Sequence, residues 1–339
     1  MTLRIGFIVG LTTLMLYGSA HADYADRPDV RTYIGALVAE HGFDEAALLE
    51  LFHDTERQQS VLDAIARPAE RTLKWHEYRD IFLKEPRISQ GLEFWNSNAE
   101  TLARAEAKYG VPAEYIVAII GVETRYGRIL GNYRVVDSLT TLAFDYPPRS
   151  DFFRKELTQY LLLAREEKMD PLVLKGSYAG AMGYGQFIPS SFRAYAVDFD
   201  GDGVRDIWAN QVDAIGSVAN YFARHGWRSQ APVVVQVAVT GTEADALANE
   251  SLSLDYTVGQ LRAAGVQIDD LAAEEKAALF RMEIEDGREY WLGLNNFYVI
   301  TRYNRSRLYA LAVHQLGQEI RSGWEARQDA LVSSHRTFD

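Results

Sequence analysis

The stretch PAEYIVAIIGVETRYG (112–127) decides how the chain is read. Pro112 suits the first turn of a helix, where its missing N–H costs nothing. Ile116, Ile119 and Ile120 stand seven, four and three residues before Glu123, spacings that place them with the acid on one helical face. Glu123 then falls in the last turn before Gly127. The segment reads as a core helix that ends on a carboxylate.

Outward from it, the same period recurs. Val30, Tyr33, Ile34, Leu37 and Val38 mark a helix stopped by Gly42, and a second helix from Asp44 carries Leu48, Leu49 and Phe52. Leu157, Tyr160, Leu161 and Ala164 mark another, and Val212, Ile215, Val218, Ala219 and Phe222 one more. The texture changes after His225-Gly226-Trp227. APVVVQVAV (231–239) reads as a strand, FRMEIEDGREYWLGL (280–294) as a hairpin around Asp286-Gly287, and TVGQLRAAGV (257–266) as a short helix. FYVITRYN (297–304) reads as a strand leading into a last helix, YALAVHQLGQEI (309–320). The expected class is mainly α: a helical body over 23–229, a small α+β insertion over 230–295, and a segment, 296–339, returning to the body.

The first residues look like an address. Arg4, the apolar run IGFIVGLTTLMLYG (5–18) and Ala20-His21-Ala22 follow the order of a secretory signal peptide, so 1–22 is expected to be removed and the mature chain to start near Asp23. The chain has no cysteine, which excludes disulfides and a lipid carried on a cysteine after the leader. A soluble, periplasmic protein without a membrane anchor is the implied product. The net charge of −12, or −13 without Arg4, argues against a nucleic-acid partner held through phosphates. The 19 tyrosines, 15 phenylalanines and 6 tryptophans supply flat faces that suit sugar rings as well as a core.

Three stretches carry chemistry. Glu123 costs several kcal/mol in apolar company unless it is paired, hydrogen-bonded or protonated. Desolvation favours the protonated carboxyl, which is what a general acid for glycosidic cleavage needs. An ion pair with Arg125 or Arg128 is the other open reading. In KGSYAGAMGYGQFIPSSF (175–192), four glycines interleave with Tyr178, Tyr184 and Phe187, while Ser177 and Gln186 offer neutral hydrogen-bonding groups. In DFDGDGVRDIW (198–208), Asp198, Asp200 and Asp202 occupy positions 1, 3 and 5 of an EF-hand-like loop, Gly203 position 6, and the Val204 carbonyl position 7. Ala209 stands where the twelfth ligand should be, and Asp213 is the expected replacement. Such a loop, 198–213, is expected to hold a structural Ca2+.

With these residues in view, the sequence resembles the MltB-type lytic murein transglycosylases, glycoside hydrolase family 103. The resemblance spans nearly all of 24–322 and rests on EYRDIF (77–82), GVETRYGRILGNYRVVDSLTTLAFDYPPRS (121–150), the glycine/aromatic run, the aspartate loop with VDAIGSVANYFARHGW (212–227), and FYVITRYNRS (297–306). It implies a lysozyme-like helical body and one acid/base glutamate, Glu123. It further implies Ser177 and Asn304 as hydrogen-bonding partners around the acid and the substrate acetamido group. Tyr78, Gln186, Tyr221 and Tyr303 match sugar-subsite residues, and Arg125 and Phe187 complete the expected substrate-binding set. The implied ligands of the ion are Asp198, Asp200, Asp202, Val204 and Asp213. The implied activity is peptidoglycan exo- or endotransglycosylase, a lyase that leaves 1,6-anhydromuramic ends on glycan strands, with cell-wall synthesis proteins as candidate partners. Two rivals stand beside it: a lysozyme-type hydrolase using a second acid such as Asp137 or Asp145, and a non-catalytic peptidoglycan-binding protein.

Overall fold

A computed structural model describes residues 23–67, 73–249 and 251–336; the expected leader, 1–22, lies outside them. The chain divides into two compact units, one ending at Arg57 and one beginning at Gln58. In the first, helices Pro28–His41 and Glu45–His53 are built as their sequence dictates. Pro28 opens the first, Gly42 closes it in the left-handed conformation (φ +64°), and the Asp44 carboxylate caps the second by accepting from Ala47 N–H at 2.8 Å. Val30, Ile34, Leu37, Leu48 and Phe52 form its core, and the Asp23 carboxylate bonds His53.

The second unit is mostly helical. At its centre runs helix Ala113–Thr124, against which helices Glu85–Ser97, Ala99–Tyr109, Gln211–Arg224 and Arg307–Arg336 all pack. Every residue from Ala113 to Gly121 is buried. The helix is therefore enclosed on all sides rather than on the single face that the isoleucine spacing suggests. Each of its isoleucines contributes about 1.5–3 kcal/mol by burial. The arginine partner goes to a different acid of this helix: Arg321 Nη1 donates to the buried Glu114 at 2.9 Å. The helix stops at Thr124, short of Gly127. Arg125, Tyr126 and Gly127 then follow with φ of +52°, +61° and +83°. Two non-glycine residues in the left-handed region are costly, and they stand directly after Thr124, the last residue of the helix.

Seven strands occur among the described residues: β1 (Tyr133–Arg134), β2 (Lys175–Gly176), β3 (Val234–Val239), β4 (Tyr256–Thr257), β5 (Val266–Gln267), β6 (Lys276–Ile284) and β7 (Gly287–Gly293). The first two form a short antiparallel pair, and the rest a sheet in the order β4-β6-β7-β3-β5. Val237, Leu261, Val266, Leu279 and Leu292 build a separate small core around that sheet. Ile284 pairs with Gly287, so the hairpin turn is Glu285-Asp286, and Gly287 (φ +127°) begins the return strand.

One expected element is different. FYVITRYN is not a strand: Asn295–Tyr303 is a helix. Its β-branched residues favour a strand, but Phe297, Ile300 and Thr301 also fall at helical spacing, and all three are buried. Packing on the following helix and against Phe280 (5.1 Å between rings) outweighs the local preference. The last helix is also much longer than its apolar stretch, running Arg307–Arg336.

Candidate active site

Glu123 lies where the central helix leaves the core, and it is half-buried. Tyr309, in the first turn of helix Arg307–Arg336, donates its hydroxyl to Glu123 Oε1 at 2.5 Å. Tyr309 is only 2% exposed. Burial first, and then the nearby Glu123 and Tyr303, push its phenol far above the usual range, so it remains protonated and a donor. Tyr78 lies close enough to add to that push. Tyr303 is likewise held protonated by burial and by Glu123, and it donates to the Gly185 carbonyl at 2.6 Å. Glu123 thus accepts from the Tyr309 phenol, while both arginines proposed as ion-pair partners turn elsewhere. Arg125 Nε donates to Gln90 Oε1 at 2.8 Å, and Arg128 reaches Glu93 at 3.7 Å.

The glycine/aromatic run is fastened to the end of that helix. Thr124 donates to the Tyr184 carbonyl (2.9 Å) and accepts from Gly127 N–H (3.1 Å). A β-carbon at Gly127 would come within 2.1 Å of the Tyr184 ring, so only glycine permits the approach. Ser177 follows β2, and its hydroxyl oxygen accepts from Ala181 N–H at 3.0 Å and Ala179 N–H at 3.3 Å. Those two bonds use its lone pairs and leave its hydrogen to donate. Gln186, at φ +49°, gives its amide hydrogens to Gly183 (3.0 Å) and Leu130 (3.3 Å), which orients its carbonyl oxygen.

Three aromatic residues of the expected sugar-binding set, Phe187, Tyr221 and Tyr303, form a cluster of tilted rings, while Tyr78 meets Phe82 instead (5.3 Å). Phe187 lies 5.7 Å from Tyr221 and 5.9 Å from Tyr303, and Tyr221 and Tyr303 are 4.6 Å apart. Tyr221 is anchored to the Arg302 carbonyl at 2.6 Å. Phe187 and Tyr221 are buried, and Tyr303 is more open. Asn304 is the residue that ends the Tyr303 helix. Asp137 is buried and gives both oxygens to Arg134, at 2.7 and 3.0 Å, so a salt bridge already engages it. Asp145 ends helix Val135–Asp145 and is half-buried.

Tyr309 is the residue that sequence reasoning missed. It is separated from Glu123 by 186 positions and resembles any other core aromatic of its helix. A hydrogen bond to a charged group contributes about 1.5–3 kcal/mol. Should Glu123 be the acid that the family resemblance implies, Tyr309→Phe is expected to lower kcat by about 10- to 100-fold with little change in KM. Steady-state kinetics beside a thermal melt would check this.

The aspartate loop brings oxygen donors together. Carboxylate oxygens of Asp198, Asp200 and Asp202 lie within 4.8 Å of one another. The turn is tied internally: Asp198 accepts from Gly201 (2.7 Å) and Gly203 (2.8 Å) amides, and Asp202 from Val204 (2.8 Å). Asn210 donates to Asp200 at 2.7 Å while capping helix Gln211–Arg224, which holds Asp200 below its ordinary value. Asp213 is outside the three-carboxylate group. Its two oxygens accept from Phe199 (2.7 Å) and Asp206 (2.9 Å) amides. It is fully buried, which pushes its carboxyl up, against the pull of those amides. An all-oxygen set of this kind suits a hard cation of the Ca2+ type.

The family described as Transglycosylase SLT domain matches residues 25–318. The Escherichia coli (strain K12) protein named membrane-bound lytic murein transglycosylase B is 46% identical over 308 residues, covering 88% of this chain and 84% of that protein. The X-ray structure of catenated lytic transglycosylase SltB1 from Pseudomonas aeruginosa shares 55% identity with a TM-score of 0.87, covering 89% of this chain and 100% of that one. The structure of Escherichia coli lytic transglycosylase Slt35 in complex with calcium shares 46% identity with a TM-score of 0.82, covering 89% and 95%.

Proposed function

The chain belongs to the transglycosylase SLT domain family, and from that premise we propose that it cleaves the β-1,4 bond between N-acetylmuramic acid and N-acetylglucosamine in peptidoglycan without water, with Glu123 as acid and then base. The observation that carries the reading is a half-buried glutamate held by a buried phenol, while Asp137, the nearer of the two acids first considered as partners, is locked to Arg134. Most glycosidases need two carboxylates. Here the acetamido oxygen of the substrate takes the second one's place.

In the first step the Glu123 carboxyl gives its proton to the leaving O4 as the C1–O4 bond breaks, and the acetamido oxygen bonds to C1. In the second, the Glu123 carboxylate removes the proton from the C6 hydroxyl. O6 bonds to C1, the acetamido oxygen departs, and Glu123 is protonated again. Tyr309 fixes the rotation of the carboxyl through both steps. Ser177 and Asn304 hold the acetamido group, and Tyr78, Gln186 and Tyr303 line the glycan path over the Phe187–Tyr221 wall. Arg125, braced on Gln90, borders it. Fragments released from purified peptidoglycan should be one water lighter than hydrolysed ones; reducing ends alone would contradict the reading.

Asp198, Asp200, Asp202 and the Val204 carbonyl are proposed to hold a Ca2+ ion, with Asp213 bracing the loop through its two amide contacts. The calcium-bound relative supports this. Calcium held there would neutralise three converging carboxylates, while Asp213, from the helix that carries Tyr221, ties that helix to the loop through the Phe199 and Asp206 amides. Because the ion binds only the folded state, millimolar calcium should raise Tm, and Asp200→Ala should remove the rise. Differential scanning calorimetry with calcium or chelator measures both. No helix among the described residues is long and apolar enough to cross a membrane. The leader motif supports a periplasmic enzyme, and the sequence has no cysteine that could carry a lipid after it.

A further inference from the structure

Gly183-Tyr184-Gly185 lies between the aspartate loop and the end of the central helix, and Tyr184 is bonded to both sides. Toward the loop, its N–H donates to the Ile207 carbonyl at 2.9 Å. A β-carbon at Gly183 would fall 2.4 Å from that same oxygen, so glycine is what admits the contact. Ile207 itself has little freedom. It is buried, and the Asp206 carboxylate before it accepts from the Trp208 and Ala209 amides at 2.8 and 2.9 Å. A second tie runs through side chains: Asn210 holds Asp200, and its neighbour Gln211 donates to the Tyr184 hydroxyl at 3.1 Å.

Toward the helix, the Tyr184 carbonyl accepts from the Thr124 hydroxyl at 2.9 Å, and from no other group among the described residues. The Ile120 carbonyl lies 3.1 Å from that hydroxyl but already accepts from Tyr126 N–H, so the single hydrogen is better used on Tyr184. Thr124 is fully buried and directly follows Glu123. One hydroxyl therefore joins the residue beside the acid to a tyrosine held by the loop.

We propose that Tyr184 is a positioning residue for Glu123, through which the aspartate loop acts on the acid. An ordered loop fixes Ile207 and Gln211, and these fix Tyr184. Tyr184 in turn fixes Thr124, where the helix gives way to the left-handed residues Arg125 and Tyr126. Order in the loop then has two separable consequences. The fold gains stability, and kcat rises because the Glu123 carboxyl is held in place. The part played by Glu123 rests on the peptidoglycan-cleaving reading; the link between the loop and the helix end does not.

Because both backbone links belong to Tyr184 itself, the cut is made at Thr124: Thr124→Val removes the hydroxyl and Thr124→Ser keeps it. Well below the melt, calcium in place of chelator should raise wild-type kcat on glycan strands by about 3- to 10-fold with KM unchanged. In Thr124→Val that rise should vanish while calcium still raises Tm, and Thr124→Ser should restore it. A second readout needs no turnover. The Glu123 carboxyl ¹³C signal, identified by its loss in Glu123→Gln, should move as calcium is added to wild type and Thr124→Ser, and stay still in Thr124→Val. A signal that stays still in wild type while calcium raises its Tm, or that moves equally in Thr124→Val, overturns the proposal. So does a calcium-dependent kcat that survives in Thr124→Val. If calcium does not bind, Asp200→Ala disturbs the loop in its place, and an unmoved Glu123 signal in that variant is equally fatal. A wild type that cleaves no glycan would refute the cleavage reading, and the ¹³C signal would still decide the link.

Discussion

Glu123→Gln is expected to abolish turnover of peptidoglycan, a loss of at least about 10³-fold, while leaving glycan binding and Tm nearly unchanged. The amide keeps the size of the carboxyl and still accepts from Tyr309, so the contact at 2.5 Å has no reason to collapse. What it loses is the transferable proton, and both chemical steps need it. Since the same group serves as acid and base, no partial activity should survive at any pH. Turbidity loss of purified sacculi gives the rate, and sedimentation with those sacculi gives the binding. Lysis at even a tenth of the wild-type rate would remove Glu123 from its role.

The second large effect is structural. Gly131 has φ +94°, and a β-carbon there would fall 2.0 Å from the Gly176 carbonyl oxygen and 2.6 Å from the Ser177 nitrogen. Both atoms are backbone, and β2 pairs Gly176 with Tyr133, so the clash cannot be relieved by a rotamer change. Gly131→Ala should cost at least about 3 kcal/mol, the sum of left-handed strain and forced backbone movement. At about 1.5 °C per kcal/mol, from about 2.1 cal/mol/K of unfolding entropy per residue, Tm falls by about 4–5 °C. Activity below that melt should fall too, because the displaced peptide carries Ser177. Gly42→Ala supplies the comparison: its φ is +64° but nothing lies within 4 Å of the added carbon, so it should lose only about 1 kcal/mol. Equal losses at the two positions would show that the close approach at Gly131 has no energetic weight.

Much of this arrangement is legible in the sequence where the determinants are local. Gly42 and Asp44 mark the ends of the first two helices because caps act within a few residues. The β6–β7 hairpin follows from alternation, although its turn lies one residue earlier than Asp286-Gly287 suggests. The aspartate spacing foretells the three-carboxylate group. The isoleucines around Glu123 mark a core helix, but spacing cannot reveal that the helix is enclosed on every side, since that depends on four others closing around it. FYVITRYN misleads because β-branched residues satisfy a strand locally, and only the packed neighbours make the helix preferable. Tyr309 and the two amide contacts of Asp213 were out of reach for the same reason. Their partners are set by tertiary structure, and a buried phenol gives no local sign that it will meet a carboxylate.

The central claim is that one carboxyl moves the protons while the sugar's own C6 hydroxyl, and not water, ends at C1. Digestion of peptidoglycan by the wild-type enzyme in ¹⁸O-enriched water addresses it directly. The account predicts muropeptides one water lighter than their hydrolysed forms, with no heavy oxygen at the new ends. Reducing ends carrying ¹⁸O at C1 would contradict it.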